Sequence, residues 1–176
     1  SNIMASRDKM KVIDMEFALM GPFGYDLGYL VGNLISQYCA ACFKRFPSEQ
    51  NRKQFKAYLL ATIKSLIETY MKTFTLCWEK SVKERYRGQQ GLLQSILQEV
   101  MEDVPGYASM VNWFRSVSEI PYPDFDIIED KDAKRNATVL SLMIDWGIMF
   151  GRYKYQSADD LIETIIGIEE EFRKSL

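Results

Sequence analysis

Two acidic side chains stand close together after a short apolar run near the start of the sequence. The run at residues 10–13 ends at Asp14, and Glu16 follows two residues later. In an extended chain, side chains two residues apart point in the same direction, so both carboxylates can bind one cation. Carboxylate oxygens are hard ligands that suit Mg²⁺. The spacing therefore raises the hypothesis of a magnesium site, and a pair of solvated or capping acids is the alternative.

The residues around these acids predict a β-hairpin that positions them. Residues 2–5 and 10–13 are short apolar stretches on either side of a polar turn at residues 6–9. Asn2 stands on the partner strand, where its amide oxygen can serve as a third ligand. An Asn before one strand and an Asp after the next is the arrangement with which kinase-like phosphotransferases hold Mg²⁺ against ATP.

The rest of the sequence predicts a mainly α-helical domain. After a segment rich in glycine and proline at residues 21–24, residues 25–43 are apolar on nearly all sides, which indicates a buried helix. Residues 49–80 carry apolar side chains at every third or fourth position, which predicts one long amphipathic helix. Further helices are predicted at residues 92–101, 108–117, 130–153 and 157–174, with a break at 104–106 and an extended, proline-containing segment at 120–123. We therefore expect a single domain over residues 1–176, with a metal-site hairpin at 1–15 and a helical subdomain at 25–176.

Composition excludes several classes of function. The net charge of −2 offers no basic surface for nucleic acid, and the chain lacks an apolar run long enough to span a membrane. It contains no histidine, so neither a histidine-based catalytic triad nor a histidine-ligated metal can form within it. Its cysteines are Cys39, Cys42 and Cys77. We interpret the first two as packed thiols in an apolar helix, which fits a reduced cytoplasmic compartment.

Residues 2–35, NIMASRDKMKVIDMEFALMGPFGYDLGYLVGNLI, resemble the segment that follows the catalytic HGD sequence in 5-methylthioribose kinases. These enzymes belong to the aminoglycoside phosphotransferase and choline kinase-like superfamily. A shorter sequence of the type IDFEY is shared with choline kinases, but GPFGYDLG followed by GNLI is more similar to the methylthioribose enzymes. The resemblance continues more weakly through residues 49–80 and reappears at 124–131. It implies the C-terminal lobe of a protein-kinase-like fold.

The resemblance also implies roles for individual residues. Asp14 resembles the Mg²⁺-binding Asp of kinases, Glu16 the second acid of the family's DxE motif, and Asn2 the metal-binding Asn of the catalytic loop. Asp26 resembles a buried Asp whose carboxylate accepts backbone N–H groups and braces that loop. Gly21 and Gly24 are expected to support the site by permitting tight turns with positive φ.

The HGD sequence and the N-terminal nucleotide lobe of the family would lie before Ser1. The resemblance thus implies that the full-length protein is a cytoplasmic kinase of methionine salvage that requires ATP and Mg²⁺. Its substrate would be a small molecule with a sugar hydroxyl, and its partners would include neither nucleic acid nor a membrane. This chain alone would contain no catalytic residue and would be inactive. A homodimer is a further implication, and we expect Ile3, Met4 and Phe17 to be exposed where the nucleotide lobe would pack.

The acceptor site departs from the family pattern. Methylthioribose kinases carry an adjacent Arg-Arg pair, in a context like GAAKMIRRIVG, which resembles an anchor for the sugar. The pair aligns with Asn112 and Trp113, with Arg115 nearby, and these three are the candidate substrate-binding residues. An amide and an indole do not replace a guanidinium pair in kind. A choline- or aminoglycoside-type kinase and a non-catalytic kinase-like binding module therefore remain open as alternatives.

Overall fold

The protein folds into a two-stranded hairpin followed by a helical body, as the sequence pattern predicts. The computed structural model describes residues 3–13, 20–117 and 123–176. Strands β1 (Ile3–Ala5) and β2 (Met10–Val12) pair antiparallel, with Ile3 opposite Val12. The described helices are α1 (Tyr25–Phe43), α2 (Glu49–Ser81), α3 (Leu92–Val117), the short α4 (Pro123–Asp126), α5 (Lys131–Gly151) and α6 (Ala158–Lys174). Two 3₁₀ turns, Glu84–Tyr86 and Arg152–Lys154, follow α2 and α5.

The central helix of the body is α1, which packs against α2, α3 and α5. The α5 helix also packs against α3 and α6, and α2 packs against α6. The core consists mainly of fully buried aliphatic side chains, among them Val31, Ile35, Ile63, Leu140, Ile144, Leu161 and Ile165. Burial of each such side chain stabilises the fold by about 1.5–3 kcal/mol. Because α1 packs against three other helices, the buried helix predicted at residues 25–43 is the element around which the others are arranged.

The hairpin lies at the surface. Every residue from 3 to 13 is exposed, including Ile3 and Met4 at 39% and 60%. The expected exposure of these two apolar side chains is confirmed, whereas the third, Phe17, lies outside the described residues. A two-stranded hairpin is at best marginally stable alone in water.

The α3 helix is continuous, although the sequence predicted a break around Pro105. We expected the break because proline donates no backbone hydrogen bond and its ring crowds the preceding turn. This prediction is wrong, since Pro105 is buried inside α3. Ser109 Oγ donates a hydrogen bond to the carbonyl oxygen of Pro105 over 2.7 Å, and Val104 and Ala108 are fully buried beside α1. Packing of this face outweighs the roughly 3 kcal/mol that an interior proline costs a helix.

Capping serines begin α2 and α6 close to the predicted positions. Ser48 Oγ accepts a hydrogen bond from the backbone N–H of Asn51 at the start of α2. At the start of α6, the side chain of Ser157 accepts from the backbone N–H of Asp160, whose carboxylate accepts from Ser157 N–H in return. Of the segment expected to be extended, residues 120–122 lie outside the described ranges, and Pro123 is the first residue of α4, where its missing N–H costs nothing.

The cysteines confirm the interpretation as packed thiols. Cys39 and Cys42 are buried on α1, Cys77 is exposed on α2, and all three are free. Burial raises the pKa of the Cys39 thiol and, at Cys42, raises the pKa to about 12, so both stay protonated at neutral pH. Even with such apolar stretches, none of the helices described is long and apolar enough to cross a membrane.

Candidate functional site

The predicted metal ligands fall in segments outside the described residues. Asn2 precedes β1, and Asp14 and Glu16 lie within residues 14–19, which follow β2. Within the part of the chain that the structure describes, no group of three or more His, Cys, Asp or Glu side chains could hold a metal ion. The metal role of these three residues therefore stays a prediction. The structure describes the hairpin between Asn2 and Asp14 and the segment that follows residue 19.

The segment that leaves this acidic stretch is anchored to α2. The phenol of Tyr70 donates a hydrogen bond to the carbonyl oxygen of Phe23 over 2.7 Å. The ring of Phe23 also contacts the ring of Phe74 edge-on, with centroids 5.1 Å apart. Burial raises the pKa of Tyr70, and the nearby carboxylate of Asp26 raises it further, so the phenol remains a hydrogen-bond donor. One polar and one aromatic contact thus fix residues 20–24 before α1 begins.

Gly24 brings the start of α1 against α3. Its φ of −82° is right-handed, so the positive φ expected there is wrong; in the described chain, positive φ occurs at Gly88 and Gly91 instead. The structural reason for glycine is contact, because a Cβ at Gly24 would lie 2.4 Å from the Cβ of Asp103. The positive φ expected at Gly21 is wrong as well, and this glycine lines a cleft beside Gly24.

Asp26 differs from the buried brace that the resemblance implies. It lies in the first turn of α1 but is exposed, and α1 has no side-chain hydrogen bond at its N-cap. The buried face of the helix is formed by Leu27, Gly28 and Val31, which leaves Asp26 on the other side. The predicted burial is therefore wrong. A carboxylate in the first turn is still favourable, because it faces the positive end of the helix dipole.

A cleft of about 400 Å³ separates residues 21–23 from α3. On the α3 side it is lined by the carboxylates of Glu99, Glu102 and Asp103. Partial burial raises the pKa of Asp103, Arg152 lowers it, and the two neighbouring glutamates raise it again. The cleft therefore offers negative charge and hydrogen-bond acceptors beside the segment that follows the predicted metal ligands.

Arg115 connects the end of α3 to the exposed side of α1. Its Nη1 donates a hydrogen bond to Asn33 Oδ1 over 2.5 Å, and its guanidinium carbon lies 5.7 Å from the centre of the Tyr29 ring. Tyr29 is 42% exposed, so one part of its ring remains open to solvent. An aromatic ring beside planar polar groups is a common lining for a small-molecule site.

An acidic residue of α4 completes this polar cluster. Asp124 accepts a hydrogen bond from Gln37 Nε2 on α1. Burial raises the pKa of Asp124, while the Gln37 hydrogen bond and the charges of Arg115 and Lys44 lower it. We call Tyr29, Asn33, Arg115 and Asp124 the α1–α3–α4 cluster. It combines a cation, an amide, a carboxylate and a ring, which together can bind the hydroxyl groups and the carbon face of a sugar.

Asn112 does not join this cluster, and its predicted role in substrate binding is wrong. The side chain is fully buried, because it lies on the same face of α3 as Val104 and Ala108. Its Nδ2 donates to Asp145 Oδ1 over 3.1 Å, and its Oδ1 accepts from Ser36 Oγ over 2.6 Å. The amide thus connects α1, α3 and α5 inside the core and presents no surface to a substrate.

Trp113 and Arg115 lie on different sides of α3. Residues two apart on a helix are separated by about 200° around its axis. Trp113 is 62% exposed, whereas Arg115 contacts α1. Of the three predicted substrate-binding residues, the structure therefore leaves Arg115 in a polar cluster, Trp113 at the surface elsewhere and Asn112 in the core.

Comparison with known proteins finds relatives of the same family that the motif at residues 12–35 resembles. No protein-family model matches the chain. Curated relatives include a methylthioribose kinase of Geobacillus thermodenitrificans, 27% identical over 96% of this chain and 40% of the relative. Another, from Yersinia enterocolitica, is 26% identical over 93% of this chain and 41% of its own length. Methylthioribose kinase 2 of Oryza sativa is 30% identical over 92% of this chain and 40% of its own length.

The sequence resemblance to methylthioribose kinases is confirmed. These relatives match the chain nearly from end to end, well beyond the motif that first indicated the likeness. The chain spans about 40% of the length of the methylthioribose kinases it matches.

Sequence reasoning missed Tyr29, Asn33 and Asp124. A signal was available for the first two, because they lie one helical turn apart on α1 and place polar groups in a helix that is mostly apolar. Asp124 lay within residues 124–131, where the resemblance to methylthioribose kinases reappears. Only the packing of α1, α3 and α4 could show that these side chains and Arg115 meet.

Proposed function

We propose that this chain is part of a kinase that requires ATP and Mg²⁺ and transfers a phosphoryl group to a sugar hydroxyl, as a methylthioribose kinase does. The observation that carries the proposal is its similarity to proteins of that name over 92–96% of the chain. The kinase-like fold of this lobe is part of the same proposal, supported by the N-terminal hairpin and the helical body that follows it.

The predicted donor set fits the metal that such a reaction uses. Asp14 and Glu16 supply carboxylate oxygens and Asn2 supplies an amide oxygen, which are hard ligands suited to Mg²⁺. A bound Mg²⁺ would neutralise charge on the β- and γ-phosphates of ATP. The contacts of Phe23 with Tyr70 and Phe74 would hold the chain that follows these acids in place.

The chemical step itself needs a group that the resemblance places before Ser1. The acceptor oxygen attacks the γ-phosphorus, the bond from that phosphorus to the β–γ bridging oxygen breaks, and ADP leaves with the electron pair. The Asp of the HGD sequence would orient the hydroxyl and accept its proton. The α1–α3–α4 cluster would orient the acceptor, with Arg115 and Asn33 binding hydroxyl groups and Tyr29 covering the ring.

The residues that align with the family's Arg-Arg pair differ from it in kind and in position. The position that aligns with the family's Arg pair carries the buried Asn112 and the exposed Trp113, so a guanidinium pair is replaced by groups that do not share one surface. This observation favours an acceptor bound by a single arginine. A choline- or aminoglycoside-type kinase is the second candidate, and a non-catalytic binding module is the third.

The test is turnover of ATP by the protein that contains this chain, with methylthioribose, choline and an aminoglycoside as acceptors. We expect Mg²⁺-dependent turnover with the sugar. The Asp14→Asn substitution should lower kcat by about a thousandfold or more, because charge stabilisation of the transition state is lost. Asp8→Asn, in the exposed hairpin turn, is the matched control and should leave kcat unchanged.

Each acceptor assay separates the candidates. Turnover with choline or the aminoglycoside alone would replace the proposed substrate class and keep the metal site. Full turnover by Asp14→Asn would contradict the metal role. ATP binding without turnover of any acceptor would favour the binding module.

A further inference from the structure

Three tyrosine rings lie next to one another on the outer surface where α1 and α3 meet. The rings of Tyr25 and Tyr107 contact each other edge to face, with centroids 5.0 Å apart, and the centroids of Tyr25 and Tyr29 are 6.4 Å apart. Tyr25 is 46% exposed and Tyr29 is 42% exposed, whereas Tyr107 is partly buried. We call these three residues the tyrosine strip.

The spacing of residues on the two helices produces the tyrosine strip. Tyr25 and Tyr29 are four residues apart on α1, so they lie one turn apart on the same side of that helix. Gly28 stands between them in the sequence, and a Cβ there would lie 2.7 Å from the Cβ of Tyr107. Because Gly28 has no side chain, α3 approaches α1 closely and its tyrosine ring comes to lie beside that of Tyr25.

The tyrosine strip is continuous with the α1–α3–α4 cluster. Tyr29 belongs to both, since the guanidinium of Arg115 lies against its ring and Asn33 follows one turn later on α1. The Nδ2 of Asn33 donates a hydrogen bond to the carbonyl oxygen of Tyr29 over 2.7 Å. Tyr25 and Asn33 are eight residues, or about 12 Å, apart along α1. The combined surface is therefore longer than the cluster alone.

The composition and the dimensions of this surface favour a carbohydrate. Aromatic rings can bind the C–H face of a sugar while a few polar groups, here those of Arg115 and Asn33, bind its hydroxyls. The 6.4 Å between the centroids of Tyr25 and Tyr29 is close to the distance between successive sugar rings in a glycan. It is much longer than the distance between stacked bases in a nucleic acid.

The exposure of the tyrosine strip also distinguishes a sugar ring from an apolar substituent. An alkyl group gains free energy in proportion to the area that it removes from water, so it binds best in an enclosed pocket. A sugar ring can lay one face on the tyrosines and keep its outward hydroxyls in water. The open surface at Tyr25 and Tyr29 suits the second kind of ligand.

We propose that the acceptor of this kinase is an oligosaccharide of at least two sugar units, an inference that rests on the proposed function. One sugar ring lies on Tyr29, with its hydroxyls bound by Arg115 and Asn33, and the neighbouring ring lies on Tyr25 and Tyr107. A monosaccharide fills the first position alone and is a weaker acceptor. An acceptor that is held at two rings also has less need of the family's Arg-Arg pair, which this chain lacks.

A nuclear magnetic resonance titration of the protein that contains this chain, without ATP, tests the second position. The probes are maltose, cellobiose, lactose and sucrose, each compared with its component monosaccharides. We expect at least one disaccharide to bind about tenfold more tightly than either component, because its second ring stacks on the tyrosine strip. Affinities that are equal for every disaccharide and its components would overturn the proposal.

Substitutions separate the two positions. Tyr25→Ala and Tyr107→Ala should each weaken binding of that disaccharide about fivefold and leave the monosaccharide unchanged, whereas Arg115→Ala should weaken both. Tyr25→Phe keeps the ring and should retain the affinity. The Tyr107→Ala variant keeps the Cβ that lies against Gly28, so the packing of α1 on α3 is preserved. Circular dichroism checks that each variant is folded.

The matched control is Tyr58→Ala. Tyr58 is an exposed tyrosine on α2 that stacks on Phe55, and Phe55 contacts Phe46 just after the far end of α1. Its removal should leave the affinities for both kinds of sugar unchanged. A disaccharide that binds Tyr25→Ala and Tyr107→Ala as tightly as it binds the wild type would overturn the proposal.

Failure of this proposal and failure of the proposed function give different results. Mg²⁺-dependent phosphorylation of a monosaccharide, with no disaccharide bound more tightly than its components, would overturn the oligosaccharide acceptor and keep the kinase. Disaccharide binding that depends on Tyr25 and Tyr107, without phosphoryl transfer to any acceptor, would overturn the kinase function and keep the second binding position.

Discussion

Asn112 on α3 donates a hydrogen bond to the carboxylate of Asp145 on α5 over 3.1 Å inside the core. A second neutral donor, Ser141 Oγ, lies 3.5 Å from the other oxygen of this carboxylate. Burial raises the pKa of Asp145 to about 8, and the hydrogen bonds from Asn112 and Ser141 offset part of this effect. An acid with a raised pKa in the folded state binds a proton that the unfolded chain has already released.

The stability of the protein should therefore fall as pH rises through this range. Between the ordinary Asp pKa of 3.8 and about 8, the folded state holds one proton more than the unfolded state. The free energy of unfolding therefore falls by up to about 1.4 kcal/mol for each unit that the pH rises in this range. Asp145→Asn should remove this slope and melt at a higher temperature than wild type at pH 8, with little difference near pH 4. Thermal melts across this range provide the measurement, with Asp8→Asn as the control. If the melting temperatures of wild type and Asp145→Asn changed with pH in parallel, the prediction would be contradicted.

Glu169 on α6 should have the opposite dependence on pH. Its carboxylate accepts hydrogen bonds from Tyr38, Lys56 and Arg173, and these partners outweigh burial and lower its pKa to about 2. A lowered pKa stabilises the folded state above the ordinary Glu value of 4.5, by roughly 3 kcal/mol, and this is lost as pH falls towards 2.

Glu169→Gln should therefore cost about 2–4 kcal/mol at pH 7, because Lys56 loses its carboxylate partner in a mostly buried position. The loss should diminish below pH 4. Urea unfolding at several pH values measures both effects. Glu170→Gln changes the adjacent, exposed residue in the same way and should be neutral. If Glu169→Gln lowered the free energy of unfolding equally at pH 7 and pH 3, the charge of Glu169 would not be the cause of the loss.

Two glycine-to-alanine substitutions should change stability in opposite directions. A Cβ at Gly32 would lie 2.7 Å from the carbonyl oxygen and 3.0 Å from the Cα of Ala108, so α1 and α3 would have to separate. We expect Gly32→Ala to cost about 1–3 kcal/mol. A Cβ at Gly167, inside α6, would meet nothing within 4 Å, so Gly167→Ala should stabilise by about 0.5–1 kcal/mol through helix propensity. Chemical denaturation of both variants tests the contact, and a neutral Gly32→Ala would disprove it.

The proposed acceptor cluster predicts a selective loss of binding. Arg115→Ala removes the hydrogen bond to Asn33 and the contact with the Tyr29 ring, and should raise KM for the acceptor about tenfold or more while KM for ATP is unchanged. Arg135→Ala, an exposed arginine on α5, is the control. Steady-state kinetics on the protein that contains this chain provides both constants. A rise in the two KM values together, or none, would remove Arg115 from the acceptor site.

The sequence was sufficient for elements whose local signals agree with their packing. The apolar run of α1, the periodicity of α2 and the capping serines Ser48 and Ser157 placed those helices to within a residue or two. Pro105 failed as a signal because local propensity opposes a helix there, while the packing of Val104 and Ala108 favours one. Local preference cannot be weighed against packing before the partner helix is known.

The type of a residue was a poorer guide to the role of its side chain than the face of the helix on which it lies. Asn112 was matched to a substrate-binding residue, although it falls on the face of α3 that carries Ala108 and Val104. The sequence does carry a signal for Glu169, because this residue lies on the apolar face of α6 with Leu161, Ile165 and Phe172. An acid on such a face is costly unless it is paired, which is a reason to look for Lys56 and Arg173.

The glycines of α1 also bear on how the molecule can move. Gly24, Gly28 and Gly32 recur once per turn and bring the first half of α1 against α3, where the nearest atoms are the Cβ atoms of Asp103 and Tyr107 and the backbone of Ala108. Sliding or rotation of one helix against the other would force these atoms into each other, so we expect the two helices to move as one rigid body. The anchored segment before α1 and Arg115 near the end of α3 therefore travel together. We therefore expect adjustment to a bound molecule to come from elements outside this pair, such as the hairpin or α4.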